Sequence, residues 1–146
     1  MRRTRVALFT HFVWGTWDRL PLLVDETRRR VYRSIQATCM ELGAEVVALG
    51  GVEDHVHLLV RSPATLAPAE LAKRVKGASA HLATHVIAPN QFFKWQGGYA
   101  AFSVGIGEID RLCAYIAQQQ EHHRLGFLIP EWEEEAEDAT NTAADS

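Results

Sequence analysis

The run Asp54-His55-Val56-His57-Leu58-Leu59-Val60 constrains the fold of this chain more than any other stretch. Successive side chains of a strand point to opposite faces, so His55 and His57 share one face while Val56, Leu58 and Val60 line the other. A strand written this way belongs to a core: its apolar face needs a covering layer, and its histidine face is left for chemistry. Two imidazoles at this spacing on a rigid support form a metal-ligand pair that asks for a further donor from elsewhere in the chain. The plainer reading, two surface histidines on a half-buried strand, stands beside it at this point.

The rest of the chain supplies the layers. Arg5 to Trp14 is rich in β-branched and aromatic residues and predicts a first strand. His11 within it reads as a packing or hydrogen-bonding residue rather than a ligand. After a loop holding Trp17, Arg19 and Pro21, Asp25 is expected to cap a helix to about Leu42, with Val31, Ile35, Thr38 and Leu42 on one face and Gly43 as its stop. Arg28, Arg29, Arg30 and Arg33 crowd that helix and read as a solvated face. Ala44 to Leu49 predicts a second strand, and Gly50-Gly51-Val52-Glu53 a turn. The His55 strand then pairs antiparallel with the second strand, the two as neighbours at the sheet centre. A second helix is expected from Ala67 to His85, with Leu71, Val75, Ala78 and Leu82 as its buried stripe. Phe92 to Val104 reads as short strand, glycine turn and short strand.

Strand, helix, strand, strand, helix, strand is the split βαβ order of ferredoxin-like α+β folds. One face of an antiparallel sheet then carries both helices, and the other, with His55 and His57, stays free. Gly105 and Gly107 form a joint before a last helix, Glu108 to about Arg124, that is added to the six-element fold.

At 146 residues the chain suits one domain, expected over residues 1–130. Residues 131–146 hold seven of the 18 acids and none of the 15 Lys and Arg, so the body is mildly basic and the tail acidic. The tail offers one large apolar residue, Trp132, and is expected to be disordered. A mildly basic body is compatible with phosphate binding despite a net charge of −3. No segment approaches the roughly 20 apolar residues of a membrane span, and the first ten residues lack a signal-peptide core, so a cytoplasmic protein is expected. Cys39 and Cys113 read as thiols in a reducing compartment.

A second motif lies in the last helix: Tyr115-Ile116-Ala117-Gln118-Gln119-Gln120-Glu121-His122-His123. Residues four apart share a helix face, so Tyr115 and Gln119 offer a hydroxyl and an amide together. With this motif in hand the chain resembles the single-tyrosine HUH transposases of the smallest bacterial insertion sequences, the TnpA-like proteins that move DNA as single strands. The resemblance is carried by Asp54 to Val60, by Val-Lys-Gly at 75 to 77, by Trp-Gln-Gly-Gly-Tyr-Ala-Ala-Phe-Ser-Val at 95 to 104, and by Tyr-Ile-x-x-Gln-x-x-His-His at 115 to 123. One departure is Gln118, where the family usually has Asn.

The resemblance implies that His55, His57 and Gln119 bind a divalent metal, Mg²⁺ or Mn²⁺, and that Tyr115 is the nucleophile that leaves a 5′-phosphotyrosine. It also implies a homodimer that shares helices between subunits, with Gly105 and Gly107 as the hinge, and single-stranded DNA with hairpins as the partner. Arg19, Lys73, Arg74, Lys76 and Lys94 are candidates for phosphate contact on charge and placement. Trp17, Trp95 and Tyr99 are candidates to stack an extrahelical base, with core packing the plainer reading. Three other readings compete: a Zn²⁺ hydrolase using His55, His57 and a third histidine such as His122, a domesticated relative that binds or nicks structured repeats, and a plain single-strand-binding module.

Overall fold

The structure, a computed structural model, describes residues 3–87 and 90–119. Strand β1 (Leu8–Gly15) leads through a 3-10 turn (Trp17–Arg19) into helix α1 (Asp25–Glu41). Strands β2 (Glu45–Val52) and β3 (His55–Ser62) follow as a hairpin, then helix α2 (Pro68–Leu82) with a π turn (Ala83–Ile87), strand β4 (Ala100–Val104), a 3-10 turn (Ile106–Glu108) and helix α3 (Ile109–Ala117). The strands stand in the order β2-β3-β1-β4, and each neighbouring pair is antiparallel. This is the ferredoxin-like arrangement that the element order predicts. The expected domain limit at 130, the acidic tail, His122 and His123 lie outside the described residues.

The strand order corrects one expectation. β2 is an edge strand, and the central pair is β3 with β1, matched from Leu8 opposite Ser62 to Gly15 opposite His55. The histidine strand therefore has hydrogen-bonded neighbours on both sides, and its backbone is rigid where the site needs it.

Phe12 and Trp14 of β1 join Val56, Leu58 and Val60 of β3 against Val31, Ile35 and Cys39 of α1 and Leu71, Ala72 and Val75 of α2. The stripe on α2 is rotated from the expected one: Ser79 is buried, whereas Ala78 is exposed and Leu82 half-buried. A hydroxyl is tolerated there because it is satisfied on both sides, donating to the Val75 carbonyl at 2.7 Å and accepting from Trp95 Nε1 at 3.0 Å. Phe92 to Trp95 is no strand; it joins the sheet only through a single bridge between Trp95 and Thr16. Nor does Asp25 cap α1: Val24 holds the cap position, without a side-chain hydrogen bond.

The opposite sheet face is roofed rather than free. Leu59 packs with Leu112 and Ile116 of α3, flanked by Phe9, Val47, Ala48 and Val104. Gly50 and Gly51 were expected in a turn but are the end of β2, and the turn is displaced to Glu53 and Asp54. Close approach accounts for both glycines. A Cβ on Gly50 would collide with the Ile116 carbonyl oxygen, and one on Gly51 with that of His55. Gly50→Val is therefore expected to push α3 off the sheet and to lower the unfolding free energy by about 1–3 kcal/mol, read by urea titration. An unchanged urea midpoint would show that α3 does not depend on this contact.

Among the described residues no helix is long and apolar enough to cross a membrane.

Candidate active site

β1 and β3 lie side by side, and their odd-numbered residues face α3. That places His11, His55 and His57 together, with 1%, 0% and 0% of their surfaces exposed. His11 Nε2 and His57 Nδ1 are 2.9 Å apart, and the two rings lie side by side with centres 5.1 Å and planes 20° apart. His55 Nδ1 lies 2.8 Å from the Asp54 carboxylate, and its Nε2 lies 3.3 Å from Gln119 Oε1. Tyr115, also buried, stands edge-on to His57 with ring centres 5.9 Å apart. The structure thus brings together all four residues singled out in the two motifs, His55, His57, Tyr115 and Gln119.

Gln119 arrives there differently from expectation. The last helix does not run unbroken from Glu108: α3 closes at Ala117, and Gln118 has φ −109° and ψ 24°. Gln119 reaches His55 from just beyond that break. The glycines before α3 lie in open space, and Gly105 has an ordinary extended backbone.

Asp54 and Arg19 complete the rim. Arg19 Nη2 lies 3.3 Å from Asp54 Oδ1 and 3.3 Å from His55 Nδ1. Burial works to raise the Asp54 carboxyl, but the hydrogen bond with His55 and the charge of Arg19 outweigh it and hold the group below its ordinary value. Asp18 and Arg19 both have φ of 52°, the left-handed region that non-glycine residues seldom adopt. The loop is held there by Thr16 Oγ1 donating to the Leu20 carbonyl at 2.6 Å and by the Asp18 N–H donating to Gln96 Oε1 at 3.2 Å. Strain held by its surroundings in this way aims Arg19 at the site.

The donor set fits a divalent cation. In the tautomer that donates Nδ1–H to Asp54, His55 turns a lone pair at Nε2 toward Gln119 Oε1, so two acceptors face each other in a buried space. A cation between them resolves that opposition, and a carboxylate behind a ligand histidine is the usual orienting partner. Among the described residues no three His, Cys, Asp or Glu side chains are placed to hold a metal ion together; beside His55 and His57, the third donor would be the amide oxygen of Gln119, 3.3 Å from His55 Nε2. Two imidazoles and an amide oxygen make a mixed nitrogen and oxygen donor set for a divalent ion.

The basic candidates separate into kinds. Lys73 and Arg74 are exposed on α2, Arg74 within 3.7 Å of Glu41. Lys94 stands over the Trp17 ring at 4.0 Å, while Trp17 and Tyr99 are part-exposed and Trp95 is buried. Lys76 turns inward, donating to the carbonyls of Gln96 at 2.7 Å and Gly98 at 2.9 Å, so it ties down the Trp-Gln-Gly-Gly segment rather than reaching for phosphate. Burial pushes its ammonium down to about 8. Because this lies below the unfolded value, the unfolded chain binds more protons between about pH 8 and 10.5, and stability contributed through Lys76 rises with pH across that window. Lys76→Met is expected to remove a rise of about 1–3 kcal/mol, measured as the difference between urea unfolding at pH 7 and pH 10. An identical pH dependence in the variant would refute this.

Two site residues escaped the sequence reading. Asp54 lay inside the quoted motif without a role, and its place directly before His55 was the available signal. His11 was read as a packing or hydrogen-bonding residue, and its bond spans 46 positions in the chain, which no local pattern announces. A groove of about 410 Å³ runs from Arg28 and Tyr32 of α1 past Gly50 and Gly51 to Gln118 and Gln119.

The IS200-like transposase family model matches residues 4–119. Among solved structures, a candidate transposase from Deinococcus radiodurans R1 is similar at 26% identity and a TM-score of 0.66, covering 82% of this chain and 98% of that one. A REP-associated tyrosine transposase bound to a REP hairpin shares the fold at a TM-score of 0.63 and 14% identity, covering 88% of this chain and 74% of that one. No curated protein matches the chain significantly. With four-fifths of its length matched by the family model, from before β1 to the buried glutamine of the site, the chain belongs to the IS200-like transposase family.

Proposed function

We propose that this protein cleaves and rejoins single-stranded DNA through a covalent 5′-phosphotyrosine at Tyr115, with Mg²⁺ or Mn²⁺ held by His55, His57 and Gln119. The observation that supports it is the convergence of a nucleophile and a metal-donor set in one buried cluster: Tyr115 lies against His57, and Gln119 Oε1 lies 3.3 Å from His55 Nε2. When bound, the cation supplies positive charge that offsets the non-bridging oxygens of the phosphodiester. Tyr115 attacks phosphorus through its hydroxyl oxygen and gives its proton to water, the bond to the 3′ oxygen breaks, and that oxygen leaves as a 3′-hydroxyl after taking a proton. The phosphotyrosine conserves the phosphodiester, so a different 3′-hydroxyl can reverse the step and join new ends without ATP.

Burial of the three histidines and Gln119 excludes bulk water and keeps that ester from hydrolysis. Arg19, fixed on Asp54, and the exposed Lys73, Arg74 and Lys94 would hold phosphates. A hairpin is the expected double-stranded element, by likeness to the fold of the hairpin-bound transposase. The working unit would be a homodimer in the cytoplasm, because two ends must be cut and exchanged and each chain has one nucleophile. Gly105 and Gly107, in open space before α3, would be the hinge that lets Tyr115 move between partners.

The test is incubation of the protein and Mn²⁺ with labelled single-stranded DNA from the flanks of its own gene, followed by denaturing electrophoresis. A covalent adduct at the mass of the protein is expected. Cleavage without any adduct would replace this reading with hydrolysis by a metal-bound water.

A further inference from the structure

His11 belongs to neither motif, yet its position bears on whether His57 can serve as a ligand. A neutral imidazole carries one proton on one of two nitrogens, and the nitrogen that meets a metal must carry none. The 2.9 Å contact between His11 Nε2 and His57 Nδ1 requires one proton between them, and two arrangements provide it. In one, His11 donates, which leaves the proton of His57 on Nε2 and closes that nitrogen to a cation. In the other, His57 donates from Nδ1 to His11, and His57 Nε2 presents a lone pair.

We propose that His11 is a positioning residue for the metal site. Its Nε2 accepts the Nδ1–H of His57, holds that ring in the ligand tautomer, and through this in-line bond keeps the two ring planes within 20° of each other. His11 itself is well anchored: it lies on the central strand opposite Leu59, with Phe102 of β4 6.1 Å from its ring. The arrangement mirrors Asp54, whose carboxylate accepts from His55 Nδ1 at 2.8 Å. Each ligand histidine thus has its own acceptor behind it, a carboxylate for one and an imidazole for the other, and such partners are worth roughly 10–100-fold in metal affinity. The inference rests on the metal site proposed above.

Two measurements on the full chain test it. The first is ¹⁵N NMR of the metal-free protein, reading the ring nitrogens of His57. Protonation at Nδ1 is expected, and a proton on Nε2 overturns the proposal. The second follows Mn²⁺ binding by the electron paramagnetic resonance of free ion in wild type, His11→Phe and His11→Gln, each checked for native circular dichroism. Phe keeps the shape without an acceptor and is expected to weaken binding about 10–100-fold. Gln sets an amide oxygen near where Nε2 stands and is expected to recover most of the affinity. Equal affinity in wild type and His11→Phe, or equal loss in Phe and Gln, overturns the proposal, the second outcome showing a packing role alone. If wild type binds no Mn²⁺, the metal reading fails, and the proton on His57 still decides what His11 does. Should His11→Phe not fold, the Gln variant and the NMR measurement carry the test.

Discussion

Tyr115→Phe is expected to abolish covalent capture of single-stranded DNA, a loss of at least about 10⁴-fold, while hairpin binding changes less than about twofold. The ring of Tyr115 is buried against His57, and phenylalanine keeps that ring, so α3 stays seated and only the attacking oxygen is lost. Neither of the other two tyrosines lies beside the histidines: Tyr32 is on α1 along the outer groove, where burial pushes its hydroxyl up to about 12, and Tyr99 is part-exposed beside Phe12. The measurement is adduct yield on a denaturing gel beside hairpin affinity by anisotropy. Retained cleavage in the variant would sink the nucleophile assignment and favour the Zn²⁺ hydrolase reading, for which Tyr115 is dispensable.

The second large effect concerns assembly. His57→Ala alone is expected to lower capture by roughly 10²–10³-fold or more, through loss of a metal donor and of the partner of His11. Co-expressed with a Tyr115→Phe chain, it should regain activity if α3 of one subunit completes the histidine pair of the other, because the mixed dimer then holds one site with every residue intact. In the single chain, Tyr115 and Gln119 meet their own His57 and His55, held by Ile116 over Gly50. Exchange would therefore require α3 to leave its own sheet, and the link at Gly105 and Gly107 is where the proposed motion would occur. Activity absent from the mixed protein, with each wild-type dimer active, would show that sites form within one chain. A sedimentation monomer with DNA bound would remove the dimer altogether.

Alternation along β3 was enough to determine from sequence that His55 and His57 share a face and that Val56, Leu58 and Val60 meet the helices, because strand periodicity is a property of the local backbone. The order of elements likewise carried the ferredoxin-like fold, whereas the expected shared helix face of Tyr115 and Gln119 is interrupted, because α3 closes at Ala117 and Gln119 follows the break at Gln118. What the pattern could not convey were relations between distant segments. Whether β2 or β1 shares the sheet centre with β3 depends on which edges pair after the crossovers, and nothing within β2 differs between edge and centre. Its paired glycines look like a turn and instead make room for the Ile116 and His55 carbonyls. Lys76 reads as a surface charge until the loop it anchors is folded beside it. The roof that α3 lays over the histidines comes from burial of Leu59, Leu112 and Ile116 in a common cluster, and the placing of His11 behind His57 comes from the register of β1 on β3. Sequence by itself determined which chemical groups are present and which face each takes on its own element; the tertiary structure decided which groups are dry, which are oriented, and which ring nitrogen is turned toward which acceptor, because those depend on packing between elements rather than on periodicity within one.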